Sequence, residues 1–395
     1  MYIDLFAGCG GLSFGLYNAG WQGLFAVEKN ADAFATLRYN LIDERQHFSW
    51  PNWLEITNID INDLIENQRE NLISLQNQVD LVVGGPPCQG FSMAGKRKGT
   101  DARNRLYHSY IKFVELVRPR MLFFENVHGF TIGFKRKYRG QEKRGIPYSE
   151  KLVKKLEHLG YDVAYKEITM SNYGVPQSRK RFILFAIRNG NADLFFERLE
   201  ANREQFLGER GLQVTVGIEN AIGDLERRNG EIPSPDTPNF FNGVYGVISS
   251  EYQRYMRRNI TDREIPDSHR FARPSQTTIE LFERIMNATD RAVRITPKME
   301  LVEGLKKRGV TPLKEGCICS TITSIPDDFI HYAEPRILTV RECARIQSFS
   351  DDYKFRGNYT TGGSRRKMDV PRYTQVANAV PPLFAEQVGI ILREM

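Results

Sequence analysis

The sequence predicts an α/β protein built on a doubly wound, mostly parallel sheet, together with a second, smaller domain. Short apolar runs alternate with amphipathic segments from residue 2 to residue 187. Glycine-rich or polar loops follow several of these runs, as they do at the carboxyl edge of parallel sheets. From about Arg188 to Pro335 the alternation stops, and proline, glycine and basic patches replace it. We therefore expect a domain boundary near Asn189.

The composition is that of a globular protein with a basic bias. Of the 395 residues, 41% are hydrophobic and 26% are charged, and the net charge of +7 favours a polyanionic partner. The 5 cysteines are scattered and odd in number, which predicts a reducing compartment rather than a disulfide framework. Because no apolar run reaches the ~20 residues of a membrane span and no signal segment opens the chain, we expect a cytoplasmic protein without membrane contact.

The first predicted strand leads directly into a glycine-rich turn. Residues 2–16 read YIDLFAGCGGLSFGL, with Gly8, Gly10 and Gly11 between a short apolar run and a helix. Glycines let the backbone pass close to a ligand at the N-terminus of a helix. The next predicted strand ends in Glu28, where an acid can accept hydrogen bonds from two ribose hydroxyls. The alternative for this residue is a solvated loop carboxylate.

A helix and a third strand are predicted next. The helix runs from Asn30 to Leu41, with Asn30 as its N-cap. Residues 56–61 (ITNIDI) are interpreted as a short apolar strand that places Asp60 at its end. Strand, turn, acid, strand and acid in this order indicate half of a doubly wound sheet.

The most distinctive stretch is residues 84–92, which read GGPPCQGFS. It follows the apolar run 79–83, which predicts a buried parallel strand. Two glycines and two prolines then hold the backbone in a stiff loop whose one thiol belongs to Cys88. A cysteine at the carboxyl end of a parallel strand is well placed for nucleophilic attack. The alternative is a buried, inert cysteine that only packs.

A second chemical group follows the next apolar run. The sequence MLFF leads into Glu125, so a carboxylate stands at the end of the neighbouring predicted strand. Because the carboxyl ends of parallel strands share one edge of the sheet, we expect Cys88 and Glu125 to face the same crevice.

Two strongly basic segments flank this strand. Residues 96–106 (KRKGTDARNRL) are either a solvated loop or a flap that closes on nucleic acid. Residues 134–144 (FKRKYRGQEKR) contain 6 basic residues and 1 acid. Charge runs are usually solvated faces, but beside a nucleic-acid site they would contact phosphates.

The remaining predicted elements include a helix over 149–159 and strands over 162–168 and 181–187. Near the C-terminus, Thr339 and Glu342 have the spacing of a capping box. Residues 375–382 (QVANAVPP) open a last helix that is predicted to run to residue 392.

These stretches resemble the ordered blocks of the cytosine-5 DNA methyltransferase family. GGPPCQGFS is similar to the family's catalytic proline-cysteine motif, and residues 177–181 (QSRKR) are similar to its Q-x-R-x-R block. The resemblance also includes residues 336–349 (RILTVRECARIQSF) and QVANAVPP, where this chain has Ala377 in place of the usual glycine. It spans residues 3–187 and 336–389 and leaves the intervening segment unmatched.

The resemblance implies a covalent mechanism on cytosine with S-adenosyl-L-methionine as the cofactor. Cys88 would add to carbon 6 of the ring, and Glu125 would supply a proton or a hydrogen bond at ring nitrogen 3. Arg181 would hold the carbonyl oxygen of the base, and Arg179 would brace the catalytic loop. Because both faces of a paired cytosine are covered by its neighbours, the target base would have to leave the helix.

The resemblance also implies ligand contacts residue by residue. Asp60 would accept a hydrogen bond from the adenine amino group, and Glu28 would bind the ribose. The implied cofactor contacts are Phe6, Gly8, Cys9, Gly10, Gly11, Leu12, Glu28, Lys29, Asp60, Ile61, Pro86, Leu106, Asn378, Ala379 and Val380. The implied DNA contacts are Gln89, Ser92, Lys96, Arg97, Lys98 and Arg103.

We therefore expect a DNA cytosine-5 methyltransferase that modifies a specific double-stranded sequence. As the resemblance implies, it would be the monomeric modification enzyme of a restriction-modification system, with a restriction endonuclease acting separately. Residues 1–188, completed by 371–395, would form the catalytic and cofactor-binding domain, and 189–370 would recognise the target.

Two other functions compete with this prediction: an RNA cytosine-5 methyltransferase and an inactive DNA-binding regulator of the same fold. A segment of about 150 residues is ample to read a major groove, which favours DNA. The intact Cys88, Glu125 and glycine turn argue against the regulator.

Overall fold

The structure is a computed structural model that describes residues 1–87, 106–138, 141–261, 263–288, 290–297, 299, 309–361 and 369–395. Residues 96–105 of the predicted flap and the thiol of Cys88 lie outside these residues. Among the described helices, none is both long and apolar enough to cross a membrane.

The chain divides into two compact units, each described here by itself. Unit 1 is Met1–Thr169, Lys180–Arg203 and Ala385–Met395, and unit 2 is Met170–Arg179 and Glu204–Phe384. The division predicted from the sequence, at residues 188 and 371, was placed where the amino-acid composition changes. The compact units are instead defined by which residues contact each other in space, and their bounds therefore differ.

The excursion of residues 170–179 into unit 2 has a local cause. Ser178 N donates to the carbonyl oxygen of Cys319 at 2.8 Å, and Cys319 N donates to that of Pro176 at 3.1 Å. These two hydrogen bonds join residues 170–179 to the segment around Cys319 in unit 2. Residues 170–179 connect two strands of the sheet in sequence, but they belong to unit 2.

Strands in the first half of the chain alternate with helices, as the sequence predicts. They are β1 (Tyr2–Leu5), β2 (Gly23–Val27), β3 (Leu81–Gly84), β4 (Met121–Val127), β5 (Lys135–Tyr138), β6 (Gln141–Arg144), β7 (Asp162–Thr169) and β8 (Lys180–Ile187). Six of them form one sheet in the order β2-β1-β3-β4-β8-β7, while β5 and β6 pair as a separate hairpin. β2, β1, β3 and β4 are parallel neighbours, and β8 runs antiparallel to both β4 and β7. The predicted mixed α/β fold with a mostly parallel sheet is confirmed.

The strands β1, β2 and β3 are buried along their whole length. All residues of β1, β2 and β3 are buried, which is why their sequences read as continuous apolar runs rather than alternating ones. Helix residues cover the sheet; for example, the Tyr110 and Phe124 rings meet edge to face with centroids 5.3 Å apart.

Helices of the first half connect and cover these strands. They are α1 (Gly11–Asn18), α2 (Ala31–Leu37), α3 (Ile61–Asn67), α4 (Arg69–Ser74), α5 (Leu106–Val117), α6 (Tyr148–His158) and α7 (Asp193–Glu209). The predicted N-cap is confirmed, because the Asn30 side chain accepts from Ala33 N at 3.1 Å. The α-helix is shorter than predicted, since residues 38–43 continue it as a π-helix.

The predicted strand over residues 56–61 is wrong. Residues 56–60 form no strand, and Asp60 is the N-cap of α3, accepting from Asn62 N at 2.8 Å. A carboxylate that bonds its own local backbone competes with strand pairing and favours the start of a helix. The backbone of the segment is joined to the end of β2 by a bond from Ile59 N to the carbonyl oxygen of Glu28, at 2.8 Å.

Unit 2 contains short elements in its described part. They are α8 (Ile218–Ile222), β9 (Glu231–Pro233), β10 (Phe241–Gly243), α9 (Glu251–Met256), α10 (Gln276–Ala288), β11 (Thr311–Pro312), β12 (Phe329–Ile330), α11 (Val340–Ile346) and α12 (Arg372–Asn378). The predicted capping box at Thr339 and Glu342 is confirmed at the start of α11.

The predicted last helix is instead two helices. After α12 ends at Asn378, the next helix, α13, begins only at Pro382 and runs to Glu394. The two prolines at 381 and 382 explain the break, because proline lacks an N–H and disfavours a helical conformation in the residue before it.

Candidate active site

The parallel strands β1, β2 and β3 end in one row, and several predicted site residues lie next to that row. Register aligns Leu5 of β1 with Val27 of β2 and with Gly84 of β3, which in turn pairs with Phe124 of β4. Phe6, Glu28 and Gly85 directly follow β1, β2 and β3, and Glu125 is the next residue of β4, which continues to Val127. The glycine turn, the two acids and the start of the proline-cysteine loop therefore share one edge of the sheet. The predicted facing of Cys88 and Glu125 across one crevice stays a prediction, because Cys88 lies outside the described residues.

The proline-cysteine loop leaves β3 through a narrow gap. A Cβ on Gly84 would overlap the carbonyl oxygen of Leu5, and one on Gly85 would overlap that of Glu125. Buried Asn126 donates from Nδ2 to the carbonyl oxygen of Pro86 at 3.1 Å. The end of β4 thus holds the backbone two residues before Cys88. The role of Cys88 itself stays a prediction.

Glu125 and Arg181 form an ion pair across β4 and β8. Arg181 Nε lies 2.9 Å from Glu125 Oε1, and the side chains are only 12% and 15% exposed. Among the described residues, no group gives Oε1 a hydrogen bond of good geometry. Two of the predicted catalytic residues are therefore adjacent, with the carboxylate oriented by a permanent cation.

The Glu28 carboxylate holds the backbone of the glycine turn. Its Oε2 accepts from Gly8 N at 2.9 Å, and its Oε1 accepts from Asn30 N at 2.7 Å. Burial raises the pKa of Glu28, and these backbone donors oppose the rise. In the turn, Phe6, Gly8 and Gly10 have positive φ angles of 59°, 57° and 87°. Such a φ is unusual for phenylalanine and is typical of functional sites.

Asp60 pairs with Lys29, the residue after Glu28, and caps a helix instead of following a strand as predicted. Lys29 Nζ is 2.9 Å from Asp60 Oδ2. Partial burial alone would raise the pKa of Asp60, but hydrogen bonds from Lys29 and from Asn62 lower it. Asn58 Nδ2 also donates to the carbonyl oxygen of Lys29 at 2.8 Å. The end of β2 and the start of α3 therefore form one rigid corner.

Three other unit 1 residues assigned to the cofactor are the first residues of helices. Gly11 begins α1, Ile61 begins α3 and Leu106 begins α5. Cys9 and Leu12 are buried, and burial raises the pKa of the Cys9 thiol to about 12, so it is not a thiolate at neutral pH.

Two carboxylates at a glycine turn suit a nucleoside ligand. Glu28 and Asp60 offer acceptors for ribose hydroxyls and for an amino group, and the turn has no phosphate-binding lysine. A Cβ on Gly8 would meet no atom within 4 Å, so there is open space beside the turn. The residues present fit S-adenosyl-L-methionine.

One buried pair beneath the turn was not predicted from the sequence. Asp4 in β1 is 1% exposed, and the Ser13 hydroxyl of α1 donates to its Oδ2 at 2.5 Å. Burial raises the pKa of Asp4 to about 7. The sequence signal that could have revealed this pair is Asp4 itself, a charged residue within an apolar strand.

In unit 2, Arg179, one of the predicted catalytic residues, caps the end of α12. Its Nη1 donates to the carbonyl oxygen of Ala377 at 2.9 Å. Ala377 lies within the helix and has no positive φ, so alanine is tolerated where the family usually has glycine. Asn378 and Val380 belong to the same unit. The bracing of the catalytic loop by Arg179 stays a prediction.

The residues predicted to contact DNA fall in the part of the chain that the structure does not describe. The basic segment 134–144 contains the hairpin of β5 and β6; its contact with phosphate stays a prediction. The six residues concerned are Gln89, Ser92, Lys96, Arg97, Lys98 and Arg103.

Comparison with known proteins identifies one family. The family model of C-5 cytosine-specific DNA methylases matches residues 1–392. The Type II methyltransferase M.DdeI of Desulfomicrobium norvegicum is 31% identical over 98% of this chain and 87% of its own length. The Type II methyltransferase M.XorII of Xanthomonas oryzae pv. oryzae is 30% identical over 98% of this chain and 83% of its own length.

Solved structures support the fold. A putative DNA modification methyltransferase encoded within an Escherichia coli prophage is 22% identical, with a TM-score of 0.64 over 100% of this chain and 98% of its own. The Dnmt2 methyltransferase of S. pombe is 14% identical, with a TM-score of 0.56 over 100% and 98%.

Proposed function

The chain belongs to the C-5 cytosine-specific DNA methylases, and from this we propose that it methylates carbon 5 of cytosine in a specific double-stranded DNA sequence. The observation that carries the proposal is the row of Phe6, Glu28, Gly85 and Glu125 at one edge of the sheet. A glycine turn that suits a nucleoside and an acid paired with arginine lie there beside the loop that leads to Cys88.

The proposed chemistry begins with Cys88, because carbon 5 of cytosine is a poor nucleophile. Its thiolate forms a bond to carbon 6, while Glu125 holds a proton or a hydrogen bond at ring nitrogen 3. Carbon 5 would then take the methyl group from the sulfonium of bound S-adenosyl-L-methionine, whose methyl–sulfur bond would break in the same step. Loss of the proton from carbon 5 and breakage of the sulfur–carbon 6 bond restore the aromatic ring and the free cysteine.

Arg181 has two tasks in this proposal. Its Nε pairs with Glu125 at 2.9 Å and so orients the carboxyl group. Its remaining N–H groups can donate to the carbonyl oxygen of the base, which gains charge as the thiolate adds.

S-adenosyl-L-methionine, when bound, supplies a methyl group on a positively charged sulfur. Glu28 would accept the ribose hydroxyls and Asp60 the adenine amino group, while Asn378, Ala379 and Val380 contribute as the resemblance implies. Because Gly8 N, Asn30 N and Asn62 N already orient these two carboxylates, little reorganisation is needed on binding.

The target base must leave the duplex for this reaction. Cys88 approaches carbon 6 from one face of the ring, and in a helix that face is covered by a stacked neighbour. The basic residues at positions 96–98 are proposed to hold phosphates of the displaced strand. A 2-aminopurine at the target position should therefore fluoresce more strongly when protein is added.

The names of the relatives support a biological setting. Several are Type II methyltransferases, and we propose that this chain is likewise the modification enzyme of a restriction-modification system. It would act as a monomer in the cytoplasm, and its restriction endonuclease would be a separate protein.

Bisulfite sequencing tests the proposed function. DNA from cells that express the chain should carry 5-methylcytosine at one recurring sequence, and DNA from cells that express Cys88→Ala should not. Absence of methylation with the wild-type chain would contradict the proposal. Equal methylation with the wild-type chain and with Cys88→Ala would contradict it as well.

A further inference from the structure

We propose that Gln347 and Arg179 are positioning residues that hold Asn378 for cofactor binding. The inference rests on the proposed function, which assigns Asn378 to the cofactor. It adds two residues of unit 2 that act through the backbone on either side of Asn378.

The end of α12 supplies the first observation. The last carbonyl groups of a helix have no donors within the helix and need other partners. The carbonyl oxygen of Ala377 accepts from Arg179 Nη1 at 2.9 Å, and that of Ala379 accepts from Gln347 Nε2 at 2.5 Å. Both carbonyl groups flanking Asn378 are therefore anchored by side chains from distant parts of the chain.

The second observation is that Gln347 is itself held in place. It is completely buried, and its Oε1 accepts from Nε2 of Gln177, which is also completely buried. Gln177 Oε1 in turn accepts from Ile322 N at 2.9 Å. Because both the donor and the acceptor of the Gln347 amide are used, rotation of the amide would break two hydrogen bonds.

The third observation is the contrast in exposure. Asn378 is exposed, whereas its neighbours Ala377 and Ala379 are buried. An exposed asparagine at the end of a helix would ordinarily sample several backbone conformations as the terminus frays. Here the backbone is fixed on both sides, so the amide of Asn378 is presented in one orientation.

Loss of one anchor should therefore lower the fraction of molecules in which Asn378 is correctly oriented. The apparent Kd of a ligand rises in inverse proportion to that fraction. A ligand that does not use this segment should be unaffected.

The test compares two buried glutamines of unit 2. Gln347→Met keeps the length of the side chain but removes its donor. Gln253→Met is the matched control, because Gln253 is also completely buried and bonds Ser249 N at 2.7 Å and the carbonyl oxygen of Glu219 at 3.1 Å. Binding of S-adenosyl-L-homocysteine is measured by calorimetry on the full chain, and the Tm of each variant reports its folding.

We expect Gln347→Met to raise the Kd for S-adenosyl-L-homocysteine about tenfold and Gln253→Met to change it less than about twofold, at similar losses of Tm. In an Asn378→Ala background, the effect of Gln347→Met should disappear, since the anchor then has nothing to orient. If Gln347→Met does not fold, Gln347→Asn keeps an amide that is too short to reach Ala379 and should give the same pattern.

Three results would overturn the inference: an unchanged Kd for Gln347→Met, equal increases for both glutamine variants, or an undiminished effect of Gln347→Met in the Asn378→Ala background. A wild-type chain that binds no S-adenosyl-L-homocysteine would contradict the proposed function itself, and the inference would fall with it. A wild-type chain that binds normally separates the two cases.

Discussion

At the scale of single residues, the neighbours of each carboxyl group determine what it can do. Glu125 has a guanidinium 2.9 Å away and a partly exposed side chain, so it is suited to hydrogen bonding with substrate. Asp4 has only the Ser13 hydroxyl as a partner in the described structure and is fully enclosed, so it is suited to support the fold. Glu125 and Asp4 are both acids of the same sheet, but we expect replacement of Glu125 to change catalysis and replacement of Asp4 to change stability.

Replacing Glu125 by glutamine should slow methyl transfer by ~10²-fold or more, because the amide cannot supply a proton at ring nitrogen 3. Single-turnover transfer of a labelled methyl group measures this step. Glu167→Gln is the control, since Glu167 is a partly exposed acid on β7 of the same sheet, where it pairs with His128. Equal rates for Glu125→Gln and the wild-type chain would exclude the acid role.

Replacing Asp4 by asparagine should change how stability depends on pH. The folded pKa of Asp4, about 7, is raised above its unfolded value of 3.8, so the wild-type chain loses stability as pH rises between these values. An asparagine cannot ionise, so Asp4→Asn should gain stability relative to the wild-type chain across this window and stay level above it. Urea unfolding at several pH values measures the difference.

Ser13→Ala provides the control for that experiment. The Ser13 hydroxyl lowers the pKa of Asp4, so its removal should extend the window to higher pH. A stability difference between Asp4→Asn and the wild-type chain that does not vary with pH would show that Asp4 has an ordinary pKa.

At the scale of elements, α11 has an unusual composition for a buried helix. Arg341, Glu342 and Arg345 are all completely buried. Arg345 bonds Asp224 at 3.1 Å and Asp351 at 2.6 Å. Because a buried ion pair costs much of its attraction in desolvation, such a network contributes more to fixing the packing partners of the helix than to stability.

Two neutral histidines adjoin this helix and predict acid sensitivity. Burial lowers the pKa of His269 to about 4 and that of His331 to about 3. Both values lie below the unfolded value of 6.5, so the unfolded chain binds more protons and stability should fall as pH decreases from 6.5 toward 4. The loss should reach up to roughly 3 kcal/mol for each histidine.

His269→Gln tests the prediction, because glutamine removes the titrating group. Its unfolding free energy should change less between neutral and mildly acidic pH than that of the wild-type chain. His158→Gln, at an exposed position on α6, should leave the wild-type pH dependence intact. The same slope in all three proteins would mean that burial does not suppress protonation of His269.

At the scale of the whole molecule, the two units contain different parts of the proposed machinery. Unit 1 contains the row of residues at the edge of the sheet, and unit 2 contains most of the segment that the family resemblance leaves unmatched. We propose that this segment reads the target sequence, because a variable recognition surface can change without altering the chemistry.

Exchange of residues 189–335 for the equivalent segment of a relative should move methylation to the relative's target sequence. The affinity for S-adenosyl-L-homocysteine should stay within about twofold, since Glu28 and Asp60 are untouched. Methylation is mapped by bisulfite sequencing of the host DNA. Unchanged target specificity in an active chimera would assign recognition to another part of the chain.

The sequence by itself determined what depends on neighbouring residues and on residue type. The buried strands, the Asn30 cap, the capping box at Thr339 and the carboxyl-edge placement of Glu28 and Glu125 all follow from local patterns, because periodicity and capping act within a few residues. The apolar run 56–61 predicts a strand, but α3 begins after Asp60. The Asp60 carboxylate accepts a hydrogen bond from the backbone of Asn62, which favours the start of a helix.

Only the tertiary structure decided which distant groups bond to each other. The pairs Glu28 with Gly8, Asn126 with Pro86, and Arg179 with Ala377 join residues 20, 40 and 198 positions apart. The burial of Asp4 and of the charges on α11 is equally non-local. A hydrogen bond contributes only when its partner is held in place, and the whole fold determines which partner that is.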